Sequence, residues 1–284
     1  MIPKNLFQTY YCDYKDLPSY VKNCTETWQQ NNPDFNYIYM SETECHKWLL
    51  ENYDAPYARA YELLKHKAMK GDLWRYSIVN KLGGIYMDID SVCRRPISEV
   101  IDYESNFVTS LELEKNSMFT QWGFGGQANN PILTNLTNYI IENVDGWPEN
   151  KDSLNTDLTG PVSFQKAVVS VLGSDADTIV NLMDSFNTNA IDVGVVWEDY
   201  IKNSIKETNN SAIAKKEGFK LYGFNFDGVG RHFMSSQRWT DNAIGQSGIV
   251  TKILGRKPRD ISSDYAEVKI YLKNNPGYNS FGGV

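Results

Sequence analysis

The chain of 284 residues is long enough to bury a sizeable apolar interior without disulfide or structural-metal support. Its apolar fraction of 41% and charged fraction of 22% lie near globular averages, and a formal net charge of −7 argues against a protein held on nucleic acid by a broad basic face. The 18 Tyr and 7 Trp are a generous aromatic complement, suited first to core packing and second to surfaces that stack on sugars or bases.

The chain opens as a βαβ unit. A short strand is expected over Asn5 to Tyr10, a helix over Ser19 to Gln30, and a second strand over Phe35 to Met40, with Asn31-Asn32-Pro33-Asp34 as the break. Strands alternating with helices suggest a mostly parallel sheet. Ser41 and Glu44 form a capping pair at the start of the next helix. From Tyr57 to Leu82 a long helical pattern follows, with Ala60, Leu64, Ala68, Gly71, Trp74, Ile78 and Leu82 on one face, expected to pack on the sheet. Asp72 and Arg75 lie one turn apart on its flank, and Gly83-Gly84 stops the helix.

The strand that follows, Ile85 to Asp90, carries the most informative pattern. Alternation sends Ile85, Met87 and Ile89 one way and Tyr86, Asp88 and Asp90 the other, so two carboxylates share a face. Adjacent carboxylates that both stay ionised call for a cation, and oxygen donors favour Mg²⁺ or Mn²⁺. An ion so held also binds a diphosphate, and it stabilises the charge that builds on a departing nucleoside diphosphate. Position beyond the end of a strand fits the rule for ligand sites in open α/β sheets.

The stretch from Ala68 through Asp90 resembles the DXD sugar-binding region of the family 32 glycosyltransferases, which include fungal mannosyltransferases and bacterial capsule enzymes; glucosylating toxins share a related core. Ala68, Asp72, Arg75, Gly83, Gly84, Tyr86, Asp88 and Asp90 match the pattern, and Gly71 stands where Ser is usual. Looser similarities are Ile2-Pro3-Lys4 with Gln8-Thr9 near the start, where Phe7 and Tyr10 replace His and Trp, and Thr159-Gly160-Pro161 in the middle. Near the end, His232-Phe233 and Arg238-Trp239 resemble the closing element, with two extra residues between His and Trp.

The resemblance implies a Rossmann-like nucleotide-diphospho-sugar transferase fold of the GT-A type, a central mixed sheet flanked by helices. It implies that Asp90 binds the metal, that Asp88 contacts the donor and reaches the metal, and that Asp72 and Arg75 hold the donor sugar and diphosphate side. Gln8, Thr9, Tyr86 and Trp239 complete the expected donor site, Arg75 joins Asp88 and Asp90 in catalysis, and His232 is the candidate third metal ligand, with Ser235, Ser236, Asp241 and Asn242 nearby. An exposed ion pair on a helix is the rival account of Asp72 and Arg75, and a packed histidine that of His232.

Farther along, Pro131 to Asn143 and Gly160 to Leu172 read as helices and Asn209-Asn210-Ser211 as a loop. The chain is read as one domain over 1–284, with a helical insertion at about 105–215 that shapes the acceptor side. A terminal helix is expected over Asp264 to Lys273, followed by a Gly-rich polar tail. Lys252, Arg256, Lys257 and Arg259 form a basic cluster, a solvated loop or a point of contact with anionic lipid head groups, as in peripheral membrane binding, or with a phosphorylated acceptor. Cys12, Cys24, Cys45 and Cys93 show no C-x-x-C spacing, no apolar run approaches the roughly 18 residues of a membrane span, and the N-terminus has no secretion-signal pattern, so a cytoplasmic protein without a transmembrane segment is expected.

The expected activity is metal-dependent, retaining transfer of a hexose from a nucleotide sugar, UDP-hexose ahead of GDP-mannose, to a glycan, a lipid-linked glycan or a protein, the last if the chain is a secreted effector. The alternatives are a catalytically idle sugar-nucleotide-binding module and a D-x-D phosphatase. The phosphatase reading fits poorly, because Asp88-Ile89-Asp90 follows a long helix and not the first strand.

Overall fold

The computed structural model describes residues 1–114, 117–147, 157–173, 195–223 and 230–232. Expectations that rest on Trp239, on the oxygen-bearing residues around it, on the basic cluster and on the terminal helix lie outside these residues.

Six strands form the central sheet in the order β2-β1-β3-β6-β5-β7: β1 (Asn5–Tyr10), β2 (Asn36–Ser41), β3 (Gly84–Met87), β5 (Phe107–Glu114), β6 (Ser117–Gly126) and β7 (Phe219–Tyr222). The sheet is mixed. β1 runs parallel to β2 and β3, and β5 parallel to β7, while β6 lies antiparallel between β3 and β5. Three of the five pairings are parallel as the alternation of strands and helices suggests, and the two antiparallel ones are those made by β6, where a hairpin enters, so the sheet is mixed as the resemblance implies. Residues 107–126 supply two central strands inside the stretch expected to be a helical insertion. The short polar connection between β5 and β6 leaves room only for an antiparallel return.

The period of two along the strands sorts the apolar residues into two cores. Phe7, Tyr86, Phe107 and Phe124 face one cluster with Trp74, Tyr76 and Phe164, whereas Leu6, Ile85, Met87 and Val108 face the other with Trp28, Ile97 and Trp122. With both faces covered, β1 is buried continuously from Leu6 to Tyr10, the polar Gln8 and Thr9 included.

Helices α1 (Ser19–Asn31), α2 (Glu42–Asn52), α3 (Ala55–Leu63), α4 (Lys67–Leu82), α5 (Pro131–Asn143) and α6 (Pro161–Leu172) flank the sheet, and α7 (Val195–Asn210) and α8 (Ala212–Glu217) precede β7. The capping box of Ser41 and Glu44 opens α2, and the Asn130 side chain caps α5 ahead of Pro131. The expected helix over 57–82 is two helices. The backbone is extended at Leu64, whose side chain is buried, so the chain changes direction there to anchor a leucine in the core. Ser211 and not Asn209 makes the later break: α7 runs through Asn210, and the Ser211 hydroxyl caps α8.

α4 is not a one-faced helix. Every residue from Gly71 to Asn80 is buried, polar ones included, while Leu82, placed on the apolar stripe, is exposed. The helix lies between the sheet and α5, so its polar flank is enclosed as well.

A carboxylate turn braced by a buried arginine

Gly83 and Gly84 carry α4 into β3 with φ of +66° and +135°. A Cβ on Gly84 would stand 2.7 Å from atoms of Asn5 and Phe7, so the turn depends on absent side chains as well as on backbone freedom. β3 then runs only to Met87. Asp88, Ile89 and Asp90 lie in a turn closed by the Ser91 amide and hydroxyl, both donating to the Asp88 carbonyl. Strand alternation therefore places Tyr86 and Asp88 as expected but does not extend to Asp90. The turn buries Asp90 completely, whereas Asp88 remains partly exposed.

The Arg75 guanidinium joins the two ends of this unit. It pairs with Asp72 at 3.1 Å and with Asp88 at 2.9 Å, and it stacks over the Tyr86 ring at 4.4 Å. The Tyr86 hydroxyl donates to the same Asp88 oxygen at 2.6 Å. Both members of the Asp72–Arg75 pair are about 95% buried, which rules out the exposed-pair account. Spacing on α4 set the two residues one turn apart, and the enclosure of the helix made the pair internal. The carboxylates beside Arg75 hold it charged against the cost of burial.

Asp72 is held from three sides. Gln121 of β6 donates to one oxygen at 2.7 Å, Thr159 donates to the other at 2.8 Å, and Arg75 completes the set. Burial raises its carboxyl to about 6, although Arg75, Thr159 and Gln121 each lower it. Nothing in the sequence marks Gln121, whose strand falls in the stretch expected to be helical, and Thr159 stands out there only through the T-G-P resemblance.

Gln8 and Thr9 leave β1 on opposite faces, as neighbours in a strand must. Gln8 belongs to the Asp88 side: it donates to the Asp88 carbonyl at 3.2 Å and accepts from the Tyr37 hydroxyl at 2.9 Å. The Thr9 hydroxyl instead donates to the Met40 carbonyl, next to Cys45. Thr9 also lines a small recess with Tyr10, Tyr11, Glu42, Tyr61, Lys67 and Gly71. The recess adjoins an open cavity of about 360 Å³ bounded by Tyr11, Glu42, His46, Tyr61 and Lys70. This hollow lies where β1 and β2 end and α4 begins.

The short strand β4 (Ser91–Cys93) leaves the carboxylate turn and pairs antiparallel with β8 (Gly230–His232), so the main chain of His232 stands opposite Ser91. Two distant segments are thereby brought to the same turn. No group of three or more His, Cys, Asp or Glu side chains converges among the described residues. The turn thus carries two carboxylates, Asp88 partly exposed and Asp90 buried, with the backbone of His232 in register opposite Ser91.

Residues 18–107 match the family described as the glycosyltransferase sugar-binding region containing a DXD motif. Among sequence relatives, the uncharacterized glycosyltransferase L373 of Acanthamoeba polyphaga mimivirus is 26% identical over 65% of this chain and 72% of its own length. The initiation-specific alpha-1,6-mannosyltransferase of Candida albicans is 26% identical over 61% of this chain and 54% of its own. The mannosyl phosphorylinositol ceramide synthase SUR1 of Saccharomyces cerevisiae is 27% identical over 80% of this chain and 50% of its own, so the chain spans about half the length of these two fungal relatives. The PaToxG glycosyltransferase shares the fold, with a TM-score of 0.51 at 16% identity over 73% of this chain and 86% of that one. The fold is that of a GT-A glycosyltransferase domain, and the relatives in sequence are glycosyltransferases.

Proposed function

We propose that this chain, related by its DXD region and its fold to the glycosyltransferases, transfers a hexose from a nucleotide sugar to a glycan or lipid-linked acceptor. The observation that carries the reading is the bracing of Asp88 by Arg75 and Tyr86 at the mouth of a closed carboxylate turn. A carboxylate so fixed offers a preorganised contact for the donor, whose binding then orders no further side chain.

Asp88 and Asp90 would hold Mn²⁺ or Mg²⁺, hard cations suited to carboxylate oxygens, with His232 as the third ligand. When bound there, such an ion supplies charge neutralisation for the departing diphosphate. The protein's own part is orientation. Gln8 ties the Asp88 main chain to β1, Arg75 sets its side chain, and Asp72 holds Arg75 from the other end. The hollow beyond β1 and β2, edged by Tyr11 and Tyr61, takes the nucleoside end of the donor. Transfer proceeds with retention, by front-face attack assisted by the leaving phosphate, as the family resemblance implies.

The names of the two fungal relatives favour a mannosyl donor over the UDP-hexose placed first on sequence grounds. No helix among the described residues is long and apolar enough to cross a membrane. Cys12, Cys24, Cys45 and Cys93 are all free, which fits a reducing compartment such as the cytoplasm.

Hydrolysis of GDP-mannose and UDP-glucose, each with Mn²⁺ and with excess chelator, tests the proposal. Metal-dependent release of one nucleoside diphosphate is expected, with at least about a hundredfold loss in Asp90→Asn. Equal rates with chelator would remove the metal, and no turnover of any nucleotide sugar would remove the activity.

A further inference from the structure

We propose that Gln121 is a sugar-recognition residue: its side-chain oxygen accepts a hydrogen bond from a hydroxyl of the hexose carried by the donor. The inference rests on the glycosyl-transfer reading and names a contact within that same site.

Hydrogen-bond logic fixes which end of the amide its described neighbours engage. The Tyr76 hydroxyl gives its proton to the Thr159 carbonyl at 2.7 Å, so what it offers Gln121, also at 2.7 Å, is a lone pair. The ionised Asp72 carboxylate likewise only accepts. Both neighbours therefore require the amide nitrogen, and Nε2 is fully engaged between them. Reversing the amide would set its oxygen against two acceptors. Oε1 is thus turned away from both, and it accepts no hydrogen bond from any described residue.

The surroundings point the same way. Asp72, Arg75 and Tyr76 are buried, whereas Gln121 is only half-buried, so the open end of this network is the glutamine. Its own backbone carbonyl lies 3.4 Å from Arg75, and the next carbonyl, that of Trp122, accepts the amide of Asp88 at 2.7 Å. Gln121 therefore stands beside the residue proposed to contact the donor, with a fixed acceptor that no described residue uses. A hexose presents several hydroxyl donors. A diphosphate presents only acceptors, so this oxygen favours the sugar over the diphosphate. The ribose and base also carry donors, and the sugar-free nucleotides in the test below separate them from the hexose.

Gln121→Met tests the inference, because it preserves volume and leaves Thr159 and Arg75 on Asp72. Binding of GDP-mannose, UDP-glucose, GDP and UDP is measured by calorimetry with Mn²⁺, beside thermal melts. The nucleotide sugar that wild type binds should weaken at least about tenfold, the factor for one lost hydrogen bond, while its sugar-free diphosphate stays within about twofold. Equal weakening of both would show that Gln121 only supports the fold of the site, and no weakening of either would show that its oxygen is idle; each overturns the inference. Deoxygenated donors give a check that needs no stable variant. Wild type should lose about tenfold on one deoxy sugar and little on the others, and equal affinity for all of them would also overturn it. Should wild type bind none of the four probes, the transferase reading itself falls, a failure distinct from one seen only in the variant.

Discussion

Asp72→Asn keeps the shape of the buried carboxylate that pairs with Arg75 and removes its titration. Burial raises the Asp72 carboxyl from 3.8 to about 6 despite the pull of Arg75, Thr159 and Gln121. An acid whose folded value is raised binds its proton more readily folded than unfolded. Its contribution to stability is whole below the unfolded value and is lost as pH rises through about 6. The whole interval corresponds to on the order of 3 kcal/mol, of which on the order of 1 to 2 kcal/mol falls between about pH 5 and about pH 7.5. Urea unfolding at those two values should show wild type losing that much more stability than Asp72→Asn as pH rises. Parallel stability curves for the two proteins, or a wild type that gains on the variant, would refute the claim that desolvation outweighs the guanidinium.

Arg75→Met leaves Asp72 and Asp88 without their shared cation and should cost about 3 to 5 kcal/mol near neutral pH in denaturant unfolding. Added to Asp72→Asn it should cost less than the sum of the two, since one change removes a charge the other has stranded. Gly84→Ala meets Asn5 and Phe7 at 2.7 Å and adds a side chain at φ +135°, so a loss of about 3 kcal/mol or more is expected by the same assay. A variant as stable as wild type would mean that β1 and β3 can separate freely.

Much of the fold was legible because local rules agree with it. β1 and α5 begin and end where the apolar runs and the Asn-Pro start place them, and the Gly-Gly stop, the Ser41 capping box and the βαβ opening all recur in the structure. Legibility ended where tertiary contacts overrode local pattern. The hairpin of β5 and β6 carries the irregular pairing of a bulged ladder, which blurs the period of two that would announce it. The interruption at Leu64 has no glycine or proline to mark it, only the demand of a buried leucine. In the site, Asp72, Arg75, Tyr86 and Asp88 were visible as one unit because they lie within 17 residues on a helix and the strand after it. Gln121 and Thr159 were not, since their bonds to Asp72 span 49 and 87 residues and no spacing rule reaches so far.

The pairing of β4 with β8 sets Ser91 against His232, a separation of 232 − 91 = 141 residues. The six strands that the described residues give the central sheet have all been made by Tyr222, so during synthesis they can associate before β8 leaves the ribosome. Closing so long a loop is entropically costly and slow compared with the hairpin or the βαβ start. The carboxylate turn therefore gains its β8 side after the other described strands are in place. A nascent chain would pass through a stage with these strands assembled and the carboxylate turn still open on one side, a point at which closure of the sheet and completion of the turn separate in time.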